Sequence, residues 1–138
     1  MMDILNIDGR TTEEKIEKAI ENTHEELSDL VEERMCMVYT DTLARYLSEE
    51  HTVYRKISTK ELGQSYDHNF ILVPKEENYY LIDLTFSQFR QKEGFQLLTQ
   101  KGYQYIDNSL WNAYIEIVCM ESPKKTMEEA FNQWEKRK

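Results

Sequence analysis

A pattern typical of an amphipathic helix begins at Thr11. Thr11 and Glu14 have the spacing of a capping box, in which each side chain accepts a hydrogen bond from the backbone N–H of the other residue. Apolar residues then recur three or four positions apart, with acidic residues between them: Ile16, Ala19, Ile20, Leu27, Leu30 and Val31. This pattern predicts a first helix from Thr11 or Thr12 to about Glu33.

A second helical pattern covers residues 35–47, and one face of it carries Cys36, Thr40, Leu43, Ala44 and Leu47. No glycine or proline lies between Leu27 and Cys36, so the pattern fits either a second helix or a continuation of the first. The difference decides whether Cys36 lies at the start of a helix or in its middle.

The strongest strand signal is a pair of dense apolar runs at residues 70–73 and 79–82. The charged segment 74–78 separates them, which predicts an antiparallel hairpin. Weaker patterns predict a short strand over residues 52–57, a loop or helical turn over 58–65, and a strand over 103–106.

Three further helices are predicted over residues 92–101, 109–119 and 127–134. Gly102 would end the first of them, Asn108 or Ser109 would cap the second, and Thr126 would cap the third. In the second, Trp111, Tyr114 and Ile115 have the spacing of a core face, and Cys119 is expected to be a buried thiol. Helices flanking a small antiparallel sheet predict the α+β class.

Size and charge restrict the possible partners. A chain of 138 residues predicts a single domain over residues 1–138. The net charge of −9 argues against binding to nucleic acid or to an anionic membrane surface. Residues 1–10 do not resemble a signal peptide, and two distant cysteines do not suggest a disulfide framework. A cytoplasmic location fits best, although a protein exported without a cleaved signal would look the same.

The hairpin carries two residues suited to acid–base chemistry. His68 precedes its first strand and Asp83 follows its second. If the tip is centred between Lys75 and Glu76, paired residue numbers sum to 151, so His68 faces Asp83 at a distance suited to a hydrogen bond. A carboxylate in that position would fix the imidazole tautomer and stabilise its charged form. A slip of one residue would separate the pair onto opposite faces.

Cys36 is the candidate nucleophile. At a helix start beside an imidazolium, the pKa of a thiol falls well below its usual value of about 8.5, so that a thiolate exists at neutral pH. The same helix start supplies backbone N–H donors to an oxyanion. Taken alone, however, a cysteine on an apolar helical face is usually a small core residue.

The order of these three residues along the chain resembles that of the papain-like and transglutaminase-like thiol enzymes. The cysteine comes first, the histidine follows at the head of a strand, and the aspartate stands at the end of the next strand. The similarity covers residues 36–89, and its most specific part is the segment 80–89, in which Asp83-Leu84-Thr85 is followed by Gln88-Phe89. It is particularly similar to bacterial toxins and effectors that deamidate glutamine side chains. The resemblance implies a papain/transglutaminase-like fold, with Cys36 as nucleophile, His68 as general base and acid, and Asp83 as orienting carboxylate.

Two hypotheses about function follow. The first is a cysteine-dependent hydrolase or acyltransferase that acts on an amide of a protein or peptide substrate, by glutamine deamidation, peptide cleavage or acyl transfer, with no metal or cofactor. The second is a non-catalytic acidic module, such as an immunity or regulatory protein, that binds a protein partner on the same fold. The sequence does not indicate an oligomeric state.

Overall fold

The computed structural model describes residues 10–28, 36–86 and 102–136, with residue 36 and residues 134–136 described by their backbone alone. These residues form the helices α1 (Thr12–Glu26), α2 (Cys36–Glu49), α3 (Asn108–Cys119) and α4 (Met127–Lys136). They also form the strands β1 (Arg55–Ser58), β2 (Asn69–Lys75), β3 (Asn78–Ile82) and β4 (Tyr103–Ile106), and a short 3₁₀ helix, Thr59–Leu62, follows β1. The predicted α+β class is confirmed.

The four strands form one antiparallel sheet in the order β1-β2-β3-β4, and helices cover both of its faces. On one face Phe70, Leu72 and Leu81 pack against α3 and α4. On the other face Ile71 and Val73 pack, with Ile82, against α1 and α2. Because both faces are buried, β2 and β3 appear in the sequence as continuous apolar runs rather than as alternating ones.

The start of α1 agrees with the prediction, and its end does not. Thr11 and Glu14 form the expected capping box. The helix stops at Glu26 instead of Glu33, and Leu27 leaves the helical conformation with φ −104° and ψ 23°. Leu27 is buried in the core, and the Glu26 carboxylate binds Arg45 of α2 at 2.5 Å. Helix α1 therefore ends where its residues contact α2, although no glycine or proline is present there to signal the end in the sequence.

The second helical pattern is a separate helix, because residues 27 and 28 are not helical and α2 begins at Cys36. Its predicted inner face is buried from Thr40 onward, through Leu43, Ala44 and Leu47. Helix α2 is described from Cys36 onward, and the residues directly before Cys36 lie outside the described part of the chain.

The hairpin is confirmed, but its predicted register is wrong by two residues. Ile71 pairs with Ile82 and Lys75 with Asn78, so paired numbers sum to 153, and the loop consists of Glu76 and Glu77. Glu76 takes the first loop position with a φ of 57°, a conformation usually left to glycine. Since the shift is even, every side chain stays on the predicted face of the sheet.

The remaining elements agree in outline. Strand β1 begins at Arg55, three residues later than predicted, and β4 has the predicted bounds. Helix α3 is capped by Asp107, which accepts from the Leu110 N–H, and not by Asn108 or Ser109. Thr126 caps α4 as predicted. The predicted helix over residues 92–101 lies outside the described residues.

No helix among the described residues combines the length and the apolar character of a membrane span.

Candidate functional site

His68 is held in place by the turn that leads into β2. Its backbone N–H donates to the Thr59 hydroxyl at 2.8 Å, and its carbonyl accepts from the Thr59 N–H at 2.9 Å. Thr59 is fully buried at the start of the 3₁₀ helix. The backbone of His68 therefore continues the antiparallel pairing of β1 and β2 beyond the last strand residue, which fixes the direction of the side chain.

Asp83 is fixed at the end of β3 by its own backbone and by a local turn. Its N–H donates to the carbonyl of Gly102 at 2.9 Å, just before β4. Its Oδ1 accepts from the N–H of Thr85 at 3.1 Å and from the Thr85 hydroxyl at 3.2 Å. An aspartate that binds the backbone two residues later forms an Asx turn, so the sequence Asp-Leu-Thr itself orients this carboxylate.

The two side chains meet in the interior. Nε2 of His68 lies 2.7 Å from Oδ2 of Asp83, and each side chain is only 1% exposed. The same Oδ2 accepts from the Tyr114 hydroxyl of α3 at 2.6 Å. Tyr114 stacks on Phe86 and contacts Phe70 edge-on, so an aromatic cluster encloses the pair. Apart from its His68 contact, Asp83 thus has three hydrogen-bond donors.

This arrangement suits an ionised carboxylate beside a histidine. Both oxygens of Asp83 accept two hydrogen bonds, and such full satisfaction is what a buried charge requires. With Nε2 donating to Asp83, the ring tautomer is fixed, and Nδ1 becomes the nitrogen that can accept or release a proton. The pair can therefore orient an imidazole and stabilise its protonated form.

Cys36 is the first residue of α2, and its side chain lies outside the described residues. The helix runs antiparallel to β1, because residues 50–54 reverse the chain and Lys56 binds Asp41 at 3.0 Å. The start of α2 therefore lies toward the end of β1. That end of the sheet also carries the start of β2 and the end of β3, next to His68 and Asp83.

The histidine and the helix α2 belong to different faces of the sheet. Asp83 is bound by Tyr114 on the face that α3 covers, whereas Leu43 and Leu47 of α2 pack on the opposite face. A sulfur at position 36 can meet the imidazole only around the end of the sheet. The structure brings His68 and Asp83 together and leaves the contact with Cys36 as a prediction.

Two residues of the site were missed by the sequence patterns. Tyr114 was predicted as a core residue, and it is fully buried, but its hydroxyl binds Asp83. Nothing in a helical apolar pattern reveals such a contact. Thr85 could have been found, because Asp-x-Thr after a strand is an Asx-turn signal. Gln88 and Phe89 of the similar segment lie outside the described residues.

The described residues contain no group of three or more His, Cys, Asp and Glu side chains that could hold a metal ion. Cys119 is buried as predicted, 7% exposed, and its thiol points to the carbonyl of Tyr66 at 3.8 Å.

Comparison of the chain with protein-family models, with curated proteins and with solved structures finds no match.

Proposed function

We propose that this protein is a cysteine-dependent hydrolase or acyltransferase of papain/transglutaminase-like fold, with Cys36 as nucleophile, His68 as general base and acid, and Asp83 as the orienting carboxylate. The observation that carries the proposal is the buried contact of 2.7 Å between His68 and Asp83. Two structural facts add to it: Cys36 begins a helix, and that helix start lies at the same end of the sheet as the pair.

The reaction would begin with proton transfer from the Cys36 thiol to Nδ1 of His68. The thiolate then attacks the carbonyl carbon of an amide, and N–H groups at the start of α2 would stabilise the oxyanion. The C–N bond breaks as His68 returns its proton to the leaving nitrogen, which departs as ammonia or as an amine. Water, deprotonated by His68, hydrolyses the thioester and regenerates the thiol.

Asp83 has a positioning role in this scheme. Its hydrogen bond to Nε2 keeps Nδ1 directed to the sulfur, and its negative charge favours the imidazolium that forms during attack. The donors Tyr114 and Thr85 hold the carboxylate itself in place. The amide in this scheme can be a glutamine side chain or a peptide bond. An amine that replaces water in the second step would give acyl transfer.

One observation favours a second candidate function, a non-catalytic acidic module that binds a protein partner. The side chains of His68 and Asp83 are almost completely buried and are bound to α3, on the face of the sheet that α2 does not cover. A histidine buried in this way can serve simply to join β2, β3 and α3. The surface would then carry the function, and the net charge of −9 suits a basic partner.

Thiol reactivity separates the two candidates. In a Cys119→Ser background, the rate of iodoacetamide labelling is followed by mass spectrometry from pH 5 to pH 10. An activated Cys36 reacts with an apparent pKa at least about one unit below the usual 8.5. His68→Gln restores the ordinary profile, because the imidazolium that stabilises the thiolate is lost. Circular dichroism establishes that each variant remains folded.

The matched control is the Cys36→Ser protein, in which Cys119 is the remaining thiol and reacts slowly until denaturant is added, because it is buried. An ordinary profile for Cys36 in the folded parent protein, or labelling only after denaturation, refutes the enzyme proposal. Three product assays then distinguish the reactions. Ammonia release from glutamine peptides indicates deamidation, new N-termini indicate cleavage, and incorporation of an amine indicates acyl transfer.

A further inference from the structure

Apolar side chains reach the surface at the end of the sheet that carries His68. Among the described residues, five large apolar side chains are exposed, and Val53 in the loop after α2 is the one that lies at the opposite end. The other four belong to the start of α2, the turn before β2 and the end of α3: Met37, Val38, Tyr66 and Met120. Single exposed apolar residues are common, whereas a group of them at one place marks an interaction surface.

Met37 stands beside the proposed nucleophile. It follows Cys36 in α2 and is 59% exposed. Four residues later, on the same face of the helix, Asp41 binds Lys56 of β1 at 3.0 Å. Because α2 runs antiparallel to β1, Met37 lies one helical turn nearer to the end of β1, where the candidate site is.

Asp67 precedes His68 and lies on the side of the sheet that α2 covers. Ile57 of β1 packs in the core with α3 and α4, so Ser58, the next residue, faces the α2 side. The Ser58 hydroxyl donates to Oδ1 of Asp67 at 2.8 Å, which holds the carboxylate on that side. Asp67 is exposed, and no cation of the described residues pairs with it. An uncompensated negative charge therefore lies at the edge around which Cys36 must meet His68.

Tyr66 and Met120 belong to neighbouring segments at the end of α3. The Cys119 thiol contacts the Tyr66 carbonyl at 3.8 Å, and the Glu121 carboxylate accepts from the Ser65 N–H at 2.7 Å. These contacts hold the two segments side by side. Tyr66 is 47% exposed and Met120 is 78% exposed, so both are accessible next to the turn that leads into His68.

Met120 occupies a position that favours glycine. It is the C-cap of α3, and its φ of 59° lies in the left-handed region, where glycine is the usual residue at a helix end. A methionine there strains the backbone, and its exposed side chain adds little to the core. Neither feature stabilises the fold, and strained residues of this kind concentrate at functional sites.

The charges of this surface favour a basic partner. The whole chain carries a net charge of −9, and Asp67 has no cation beside it. The lysines of the neighbouring segments each have a carboxylate close by in space or sequence: Lys56 with Asp41, Lys60 with Glu61, and Lys124 with Glu121. The unbalanced charge at this end of the sheet is therefore negative.

We propose that this surface is where a protein substrate docks, and that it selects a segment in which an apolar side chain and a lysine or arginine flank the reacting amide. Asp67 is the contact for the cation, and Met37, Tyr66 and Met120 are the contacts for apolar side chains. These contacts lie on both sides of the end of the sheet, so the occupant must extend past the amide in both directions. A polypeptide does so and a free glutamine does not. This selectivity rests on the proposed function, because it concerns the amide that Cys36 would attack.

The test measures how Cys36 discriminates among four thiol reagents in the Cys119→Ser background. Methyl, benzyl, trimethylammonioethyl and sulfonatoethyl methanethiosulfonates have the same leaving group and differ in the group that they attach. Each rate is divided by the rate of the same reagent with 2-mercaptoethanol. The intrinsic reactivity of Cys36 then cancels in the ratio between two reagents, which depends on the surface beside the thiol.

Asp67→Asn lowers the ratio of the cationic to the anionic reagent about five-fold at low ionic strength. Charges roughly 8 Å apart in water change each rate by a factor of about two to three, in opposite directions for the two reagents. Asp67→Lys lowers the ratio further, and high salt suppresses both effects. Glu76→Gln is the matched control, because it removes an exposed carboxylate at the opposite end of the sheet and keeps the parent ratio.

The ratio of the benzyl to the methyl reagent tests the apolar contacts. Met37→Ser and Met120→Gly each lower it about two- to three-fold, since less apolar surface covers the benzyl group. Val53→Ser, which also removes an exposed apolar side chain, keeps the parent ratio. Met120→Gly should at the same time raise the urea midpoint, because glycine relieves the strain at positive φ. A methionine with a purely structural role would change the stability and leave the benzyl preference as it was.

The docking proposal is wrong if the charge ratio is the same in Asp67→Asn, Asp67→Lys and the parent protein, and an activated pH profile of Cys36 would then still support the enzyme. A charge ratio that follows residue 67, combined with an ordinary pH profile, supports the docking surface and refutes the enzyme. A Cys36 that reacts only after denaturation refutes both. A dimer in size-exclusion chromatography that Met120→Gly converts to a monomer would assign the apolar side chains to self-association and overturn the proposal.

Discussion

The imidazole of His68 reaches the carboxylate of Asp83 along a diagonal of the hairpin. The register of β2 and β3, extended past the Ile71–Ile82 pair, places Asp83 level with Phe70, two positions from His68. Diagonal neighbours lie about 7–8 Å apart, a distance that long side chains can bridge. Nε2 and Oδ2 meet at 2.7 Å because both side chains lie on the same face and lean toward each other. The contact therefore forms although the observed register differs by two residues from the one in which His68 and Asp83 would pair directly.

Tyr114→Phe tests how much the shared Asp83 oxygen depends on its second donor. The variant deletes a buried hydrogen bond of 2.6 Å to a carboxylate, and such a bond contributes about 1.5–3 kcal/mol. We expect the free energy of unfolding, measured by urea denaturation, to fall by that amount. Tyr66→Phe is the control, because its side chain is 47% exposed and should change stability by less than about 0.5 kcal/mol. Equal effects of the two variants would show that the Tyr114 hydroxyl does not stabilise the buried pair.

Gly102→Ala tests the backbone that supports Asp83. Gly102 has a φ of 88°, and a Cβ there would approach Cδ2 of Leu84 to 2.8 Å. Its carbonyl also accepts the Asp83 N–H. We expect a loss of about 2–4 kcal/mol in urea denaturation from the combined backbone strain and steric clash.

Gly63→Ala is the matched control for Gly102→Ala. Gly63 has a similar φ of 92°, but the nearest neighbour of an added Cβ is the flexible Lys124 side chain at 3.6 Å. Strain alone should then cost about 1–2 kcal/mol. If both glycine variants lose the same stability, the close approach to Leu84 is not a significant constraint.

Much of the fold was predictable because its signals are local. The capping boxes at Thr11 and Thr126 follow from side-chain chemistry over four residues. The dense apolar runs of β2 and β3 reflect a sheet that is buried on both faces. Even the parity of the hairpin was correct, since it follows from which side chains must face each layer.

The errors occurred where distant parts of the chain decide the local structure. The hairpin register depends on Glu76 adopting a positive φ, which glutamate does not favour by itself. The end of α1 at Glu26 coincides with contacts to Arg45 and Tyr46 of α2. Helical spacing predicts that Tyr114 is buried, but it does not identify the partner of the Tyr114 hydroxyl, which is Asp83. The pairing of His68 with Asp83 was predictable, but Tyr114 was not.

Alkaline pH should weaken the attachment of α1 to the sheet. Burial raises the pKa of Tyr80 and Tyr103, and their hydrogen bonds to Glu13 and Glu17 of α1 raise it further. A pKa that is higher in the folded state means that the stabilisation is complete below the unfolded-state value of about 10 and is lost as the pH rises above it.

We therefore expect the urea midpoint to be nearly constant from pH 7 to pH 9 and to fall steeply above about pH 10. Absorbance of tyrosinate near 295 nm should show these two hydroxyls ionising only with unfolding. The double variant Tyr80→Phe/Tyr103→Phe should show a shallower fall, whereas Tyr66→Phe should keep the parent slope. An unchanged slope in the double variant would assign the alkaline loss to other groups.

The hairpin loop offers a stabilising substitution. Glu76 has a φ of 57°, whereas Glu77 beside it is not in the positive-φ region. Glycine adopts positive φ without the cost of about 1–2 kcal/mol that a side chain incurs there, although it loses more backbone entropy on folding. Glu76→Gly should therefore raise the free energy of unfolding by about 0.5–1 kcal/mol, measured as a higher urea midpoint at an unchanged m value. Glu77→Gly, with the same loss of charge and no strain to relieve, should lower stability by about 0.5–1 kcal/mol. A destabilised Glu76→Gly protein would mean that the glutamate side chain makes a contact in the loop that outweighs its backbone strain.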